Sequence, residues 1–173
     1  RRTELGLQGQ YLNEHDDRGT TDRVDMGAPY QWHSSHLEGR FNYGRPNAKA
    51  RIETQIGKTL KRYDEFSLGD IDQTDIIARV IYRTSPKIRL LLETNHSLID
   101  YQAFNSTQDN QVNQYLIGAT WYATSKTTGK AKVGYFTKNF AAAEREDFAG
   151  IGWELGMRWT PATRTTIDTT TRR

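Results

Sequence analysis

Gly150-Ile151-Gly152-Trp153-Glu154-Leu155-Gly156-Met157-Arg158-Trp159-Thr160-Pro161-Ala162-Thr163-Arg164 is the stretch whose reading decides the fold. Ile151, Trp153, Leu155, Met157 and Trp159 share one parity; Gly150, Gly152, Glu154, Gly156 and Arg158 share the other. Successive side chains of a strand point to opposite faces, so strict alternation over about ten residues describes a strand with one dry side and one wet side. Thr160-Pro161-Ala162-Thr163 reads as the turn that ends it.

Working outward, the same period recurs along the whole chain. Leu5, Leu7, Gly9 and Tyr11 alternate with polar residues, as do Leu37, Gly39, Phe41 and Tyr43. So do Ala50, Ile52, Thr54, Ile56 and Leu60, then Ile76, Ala78, Val80 and Tyr82, then Ile88, Leu90, Leu92 and Thr94. Tyr115, Ile117, Ala119 and Trp121 follow, then Ala131, Val133 and Tyr135, and a last strand begins at Thr165. Thr, Tyr, Val, Ile and Gly dominate these runs, which favours strand over helix. The expectation is about nine strands in four hairpin units, with no helix of note.

Connections alternate in length. Short turns are expected at Pro46, Pro86, Gly129 and Pro161, and longer polar loops at about residues 13–34, 64–72, 102–110 and 141–147. Short turns at one end and long loops at the other are the habit of transmembrane barrels. Tyr43, Tyr82, Trp121 and Trp159 each end a strand that descends to a short turn, on its apolar parity. They read as a membrane-interface girdle. Tyr11, Tyr63, Tyr101 and Phe148 stand near the long-loop ends and are the candidates for an upper girdle. The charges Glu38, Arg40, Arg51, Glu53, Arg79, Arg83, Arg89, Glu93, Lys132, Glu154 and Arg158 share the opposite parity and read as lumen-lining. An Arg or Lys on the lipid side at mid-membrane would cost about 2–4 kcal/mol. The competing reading is a soluble β-sandwich or small barrel whose apolar face is the core; the girdle and the loop asymmetry favour the membrane.

Bulk properties agree with that choice. The chain has 173 residues, enough for one domain, with 35% hydrophobic and 26% charged. Its mean hydropathy of −0.81 is low, as a barrel's can be when only alternate residues meet lipid. Nine Tyr, four Trp and six Phe argue against disorder. There is no cysteine, so no disulfide or thiol chemistry. The net charge of +3 is too small to suggest nucleic acid. Arg1-Arg2-Thr3-Glu4 opens directly in a strand-like pattern without a signal peptide, and the expectation is a processed or truncated chain.

Signals for catalysis or metal binding are weak. His33 and His36 lie near a long loop without a ligand motif, and Ser97 beside His96 falls on the opposite face of a strand. No enzyme activity, cofactor or metal is expected. The acidic loop tips Asp70–Asp72 and Glu144–Asp147 read as solvated loops. Basic residues outnumber acidic ones on the lumen parity, which leaves two readings level: a basic lumen that passes anions, or a neutral Arg–Glu ladder that stiffens the wall.

The segments Tyr43-Gly44-Arg45-Pro46-Asn47-Ala48-Lys49-Ala50-Arg51-Ile52-Glu53, Ser85-Pro86-Lys87 with Arg89-Leu90-Leu91-Leu92-Glu93, and Thr120-Trp121-Tyr122-Ala123-Thr124-Ser125-Lys126-Thr127-Thr128-Gly129 carry a resemblance, completed by Trp153 to Pro161. The chain resembles outer-membrane β-barrel porins of the kind found in exopolysaccharide and capsule operons of Gram-negative bacteria. That resemblance implies an all-β, antiparallel up-and-down transmembrane β-barrel in the bacterial outer membrane, serving as a channel for polysaccharide export. It implies as partners the lipid bilayer, lipopolysaccharide, a polysaccharide and periplasmic export components, and it transfers no catalytic residue. Members are longer, so about nine strands are expected to be part of a larger barrel. A general diffusion porin and a soluble carbohydrate-binding or scaffold module are the alternative functions.

Overall fold

Each alternating run becomes a strand. The computed structural model describes residues 2–16, 30–65 and 67–173. Among them are nine strands: β1 (Thr3–His15), β2 (Gln31–Tyr43), β3 (Ala50–Tyr63), β4 (Ile71–Ser85), β5 (Ile88–Tyr101), β6 (Asn110–Thr124), β7 (Thr127–Phe140), β8 (Phe148–Ala162) and β9 (Thr165–Arg172). They form one sheet in chain order, every neighbour antiparallel. The only helical element is a single 3₁₀ turn, Ser67–Gly69, among the described residues. No helix there is long and apolar enough to cross a membrane, which says nothing of strands.

The strands outrun the alternating cores. β1 continues to His15 and β2 starts at Gln31, so the first long loop is shorter than residues 13–34; its central part lies outside the described residues. Two turns also fall elsewhere than expected. β7 resumes at Thr127, so the turn is Ser125-Lys126 and Gly129 is a strand residue. Pro161 belongs to β8, and the turn is Thr163-Arg164. Proline has no N–H for a ladder. The register shift between Trp159 and Ala162 brackets it, so no β8–β9 bond is asked of it. Gly129 has a packing role instead. It pairs with Trp121, and a Cβ there would lie 2.3 Å from Cε2 and Cζ2 of that ring. The missing side chain is what allows Trp121 to lie flat across β7.

The two faces divide as the parity predicts. Every exposed large apolar side chain within the strands, Phe148 excepted, lies on the face of Ile151 and Trp153: Leu5, Leu92, Ile117 and Ile151 are 78%, 58%, 62% and 69% exposed. The opposite, polar face is the crowded one. Its Leu91 and Leu116 are the buried hydrophobics among the described residues, and Glu93 and Lys132 are buried beside them. Side chains converge on the inside of a curved sheet, and the low exposure of the charged face marks it as that inside, with the apolar face as the outer skin. No second layer of the described residues covers that skin.

Both ends of the sheet are tied by repeated backbone bonds. At the short-turn end the residue after each of three girdle aromatics donates to the residue that stands before the preceding strand: Arg83 to Lys49, Tyr122 to Lys87 and Thr160 to Lys126, all at 2.8 Å. At the long-loop end an aspartate closes each of three loops. The Oδ1 of Asp70, Asp109 and Asp147 accepts from the backbone N–H of Tyr63, Tyr101 and Phe140 at 2.8, 2.8 and 2.9 Å.

Gly129→Ala is expected to lift Trp121 off β7 and cost about 1–3 kcal/mol, the usual range for overpacking. Urea unfolding in detergent micelles, followed by tryptophan fluorescence, reads both effects; an unchanged emission and midpoint would show that the ring does not rest on Gly129.

Candidate functional site

All eleven charges singled out from the sequence lie on the polar face, fixed there by the register of β2 to β8. Most of them meet. Glu53, Arg79 and Glu93 stand directly opposite one another across β3, β4 and β5. Arg79 Nη1 lies 3.0 Å from Glu53 Oε2, and its Nε donates to Glu93 Oε2 at 2.7 Å. Arg51 adds its Nε at 3.0 Å from Glu53 Oε1.

The chain of charges then steps across a whole strand. Lys132, on β7, reaches over β6 to both oxygens of Glu93, at 3.1 and 3.2 Å. The step is possible because Gly118 faces it on β6. A Cβ on Gly118 would fall 2.9 Å from Lys132 Cγ and 2.3 Å from the carbonyl oxygen of Ala131. Lys132 also sits 3.7 Å from Glu154, directly opposite on β8, and Lys130 pairs with the same carboxylate. The result is one continuous alternation of sign: Arg51, Glu53, Arg79, Glu93, Lys132, Glu154, Lys130. Two of its members are nearly water-free, Glu93 at 5% and Lys132 at 9% exposure. A charge removed that far from water is tolerable only when paired, and each carboxylate here meets two cations.

Arg158 holds Asp168 of β9 with two bonds, at 2.7 and 3.2 Å, and Arg40 pairs with Glu38 on its own strand. Arg83 and Arg89 behave differently. They are opposite each other on the same face, and among the described residues neither has a carboxylate partner. Arg89 lies instead over the ring of Tyr122, 5.4 Å from its centroid. So of the two readings left level by the sequence, the neutral ladder describes the middle of the face, and basic charge without a carboxylate describes Arg83 and Arg89 at its short-turn end, where Arg158 is paired.

Toward the long loops the polar face becomes amide-rich. A hollow of about 370 Å³ is lined by His36, Glu38, Gln55, Asp75, Asn95 and Gln114 among others. Ser97 donates to Asp75 at 2.7 Å and Asn95 to Gln114 at 2.9 Å. Asp75, Gln114 and Lys130 were not singled out from the sequence. Their parity was the available signal, since each alternates with residues of the apolar face.

The girdle residues Tyr43, Tyr82, Trp121 and Trp159 lie on the apolar face at the short-turn end, each about half exposed. The expected upper girdle needs correction. Only Tyr11 of its four members is on the apolar face. Tyr63, Tyr101 and Phe148 share the parity of Lys61, Ile99 and Gly150, and so line the polar face. They stand at strand ends, beyond the runs whose alternation assigned the faces. Tyr115 and Tyr135, paired across β6 and β7, also lie on the apolar face above mid-strand. From Trp121 to Tyr115 is six residues, about 20 Å along the strand. Beyond that band the apolar face turns polar: His96 bonds Asn113 at 2.7 Å, and Asp72 pairs with Arg62 at 2.5 Å and Lys58 at 3.8 Å.

His33 and His36 fall on opposite faces, so one ion cannot take both. His33 lies 3.3 Å from Asp64 and His36 2.8 Å from Thr59. His96 and Ser97 also diverge, to the apolar and polar face respectively.

An antiparallel meander with an apolar outer skin, an aromatic girdle on it and an ion-paired concave face has the build of a β-barrel wall. A family model described as "Putative beta-barrel porin 2" matches residues 1–173, the whole chain. The chain belongs to that β-barrel porin family. No curated protein and no solved structure matches it.

Glu93→Gln removes the one carboxylate shared by Arg79 and Lys132. The expected loss is about 3 kcal/mol, the low end for breaking a buried pair, because Glu53 and Glu154 remain to hold the two cations. Urea unfolding of the folded protein in micelles measures it. A loss below the error of the midpoint would mean that the ladder adds nothing to the wall.

Proposed function

We propose that the chain forms the wall of a passive outer-membrane channel, with the charged face as its lumen, and that the channel exports an exopolysaccharide or capsule polysaccharide. The observation that carries the reading is the division of the sheet: apolar skin and girdle outside, continuous ion pairs inside. Arg, Lys and Glu at mid-strand height can face only water or one another in a bilayer, and the ladder gives them both. The polar collar of Lys58, Arg62 and Asp72 above the apolar band suits the headgroup level, where lipopolysaccharide is the expected neighbour.

Export of a polymer is favoured over general diffusion of small solutes by the resemblance in the short-turn segments and by the lining itself. Amide and carboxylate side chains such as Asn95, Gln114 and Asp75 present donors and acceptors along the wall, as hydroxyl-rich sugars require. Glycines at 134, 150, 152 and 156 keep the β7–β8 part of the wall thin. No cofactor or catalytic step is needed for passage.

Full-length protein reconstituted in a planar bilayer is expected to give discrete conductance steps. A protein that inserts in lipid yet passes no current would sink the channel reading.

A further inference from the structure

We propose that the short-turn end of the polar face holds a binding site for the carboxylate of an acidic saccharide, with Arg83 and Arg89 as its ligands. The proposal rests on the channel reading above and names the charge class of what enters. It starts from a local imbalance. Along the middle of the face each cation of the ladder has its carboxylate, but Arg83 and Arg89 stand directly opposite each other with none among the described residues. Like charges opposed across an antiparallel pair are destabilising, and a bound anion relieves them.

Geometry favours a planar anion. The guanidinium carbon of Arg89 lies 5.4 Å from the centroid of the Tyr122 ring, so its charge rests against an aromatic rather than a carboxylate, and a guanidinium edge matches a carboxylate with two parallel bonds. A cleft of about 240 Å³ opens at Arg89, lined also by Arg79, Ile81, Leu91, Thr120, Tyr122, Lys130 and Lys132; Arg83, opposite Arg89 on β4, is not part of that lining. Apolar patches beside hydroxyl, phenol and ammonium donors fit a sugar ring better than a bare inorganic ion.

The two ends of the sheet support the direction of entry. Arg2, Lys49, Lys87, Lys126 and Arg164 each stand immediately before β1, β3, β5, β7 and β9, so every short turn carries a cation at the equivalent place. The turns at 44–49, 86–87, 125–126 and 163–164 contain no acidic residue. The described long-loop residues carry Asp16, Asp64, Glu65, Asp70, Asp109, Glu144, Glu146 and Asp147 against Arg145. Such a field gathers anions at the short-turn mouth. Lipid phosphate is the other source of anionic chemistry at that level. It meets the apolar-side cations, such as Lys49 above the ring of Tyr82, whereas Arg83 and Arg89 face the polar side.

The test is calorimetric titration of full-length protein in uncharged detergent, with hexagalacturonate as probe and maltohexaose as its neutral counterpart. Hexagalacturonate is expected to bind, more weakly as salt is raised, and Arg83→Gln with Arg89→Gln to weaken it about tenfold or more, the size of a lost charge-assisted contact. Arg83→Lys with Arg89→Lys keeps the charge and is expected to retain part of the affinity, which separates lost binding from lost fold. Equal affinity for both oligosaccharides, or no change in the Gln variant, overturns the site. Displacement of the probe by phosphatidylglycerol added to the micelles also overturns it, assigning the pair to lipid. Selective binding without bilayer conductance would leave the site and remove the channel; conductance without selective binding would do the reverse.

Discussion

Register is the constraint on which this structure depends. In a sheet with one dry side, a slip of one residue between neighbours carries every side chain of a strand to the wrong face. Here it would turn Arg79 or Lys132 outward among Val80, Leu92 and Val133. At mid-membrane that costs about 2–4 kcal/mol per cation. The ion-pair ladder is therefore a consequence of correct register and also a lock on it. Arg79 touches Glu53 and Glu93 only when β3, β4 and β5 are aligned, and Lys132 reaches Glu93 only when Gly118 lies in its path. The backbone bonds from Arg83, Tyr122 and Thr160 back to Lys49, Lys87 and Lys126 fix the same alignment at the turns.

Much of this was legible in the sequence because a strand encodes its faces locally. Parity alone assigned Glu93 and Arg158 to one side and Tyr82 and Trp159 to the other, and the register agrees. What parity could not supply was anything dependent on neighbours distant in sequence. Which carboxylate each cation meets follows from pairings of strands forty residues apart, as with Lys132 and Glu93. Gly129 looked like a turn residue because glycine usually is one; its meaning comes from Trp121 across the hairpin. Tyr63, Tyr101 and Phe148 went to the wrong face because their strands run past the apolar stretches that set the phase. The resemblance to porins gave the architecture, and the family match supports it over the whole chain.

The two ends of the sheet are built differently, and the difference bears on function. The long-loop end is closed by aspartates that bond the backbone of Tyr63, Tyr101 and Phe140. The short-turn end carries a cation before every ascending strand and, on the polar face, two arginines with no carboxylate among the described residues. On the channel reading proposed above, a wall neutral at its centre and basic at one end would select at that end.

The central claim is that the face of Trp153 meets lipid and the face of Glu154 meets water. The chain has no cysteine, so single-cysteine variants report one position each. Cysteines placed in turn at 153 to 158 in the full-length protein, reconstituted in liposomes and exposed to a membrane-impermeant maleimide, read the claim residue by residue. Labelling is expected at 154, 156 and 158 and protection at 153, 155 and 157. Labelling that is uniform, or that follows the opposite parity, would contradict it.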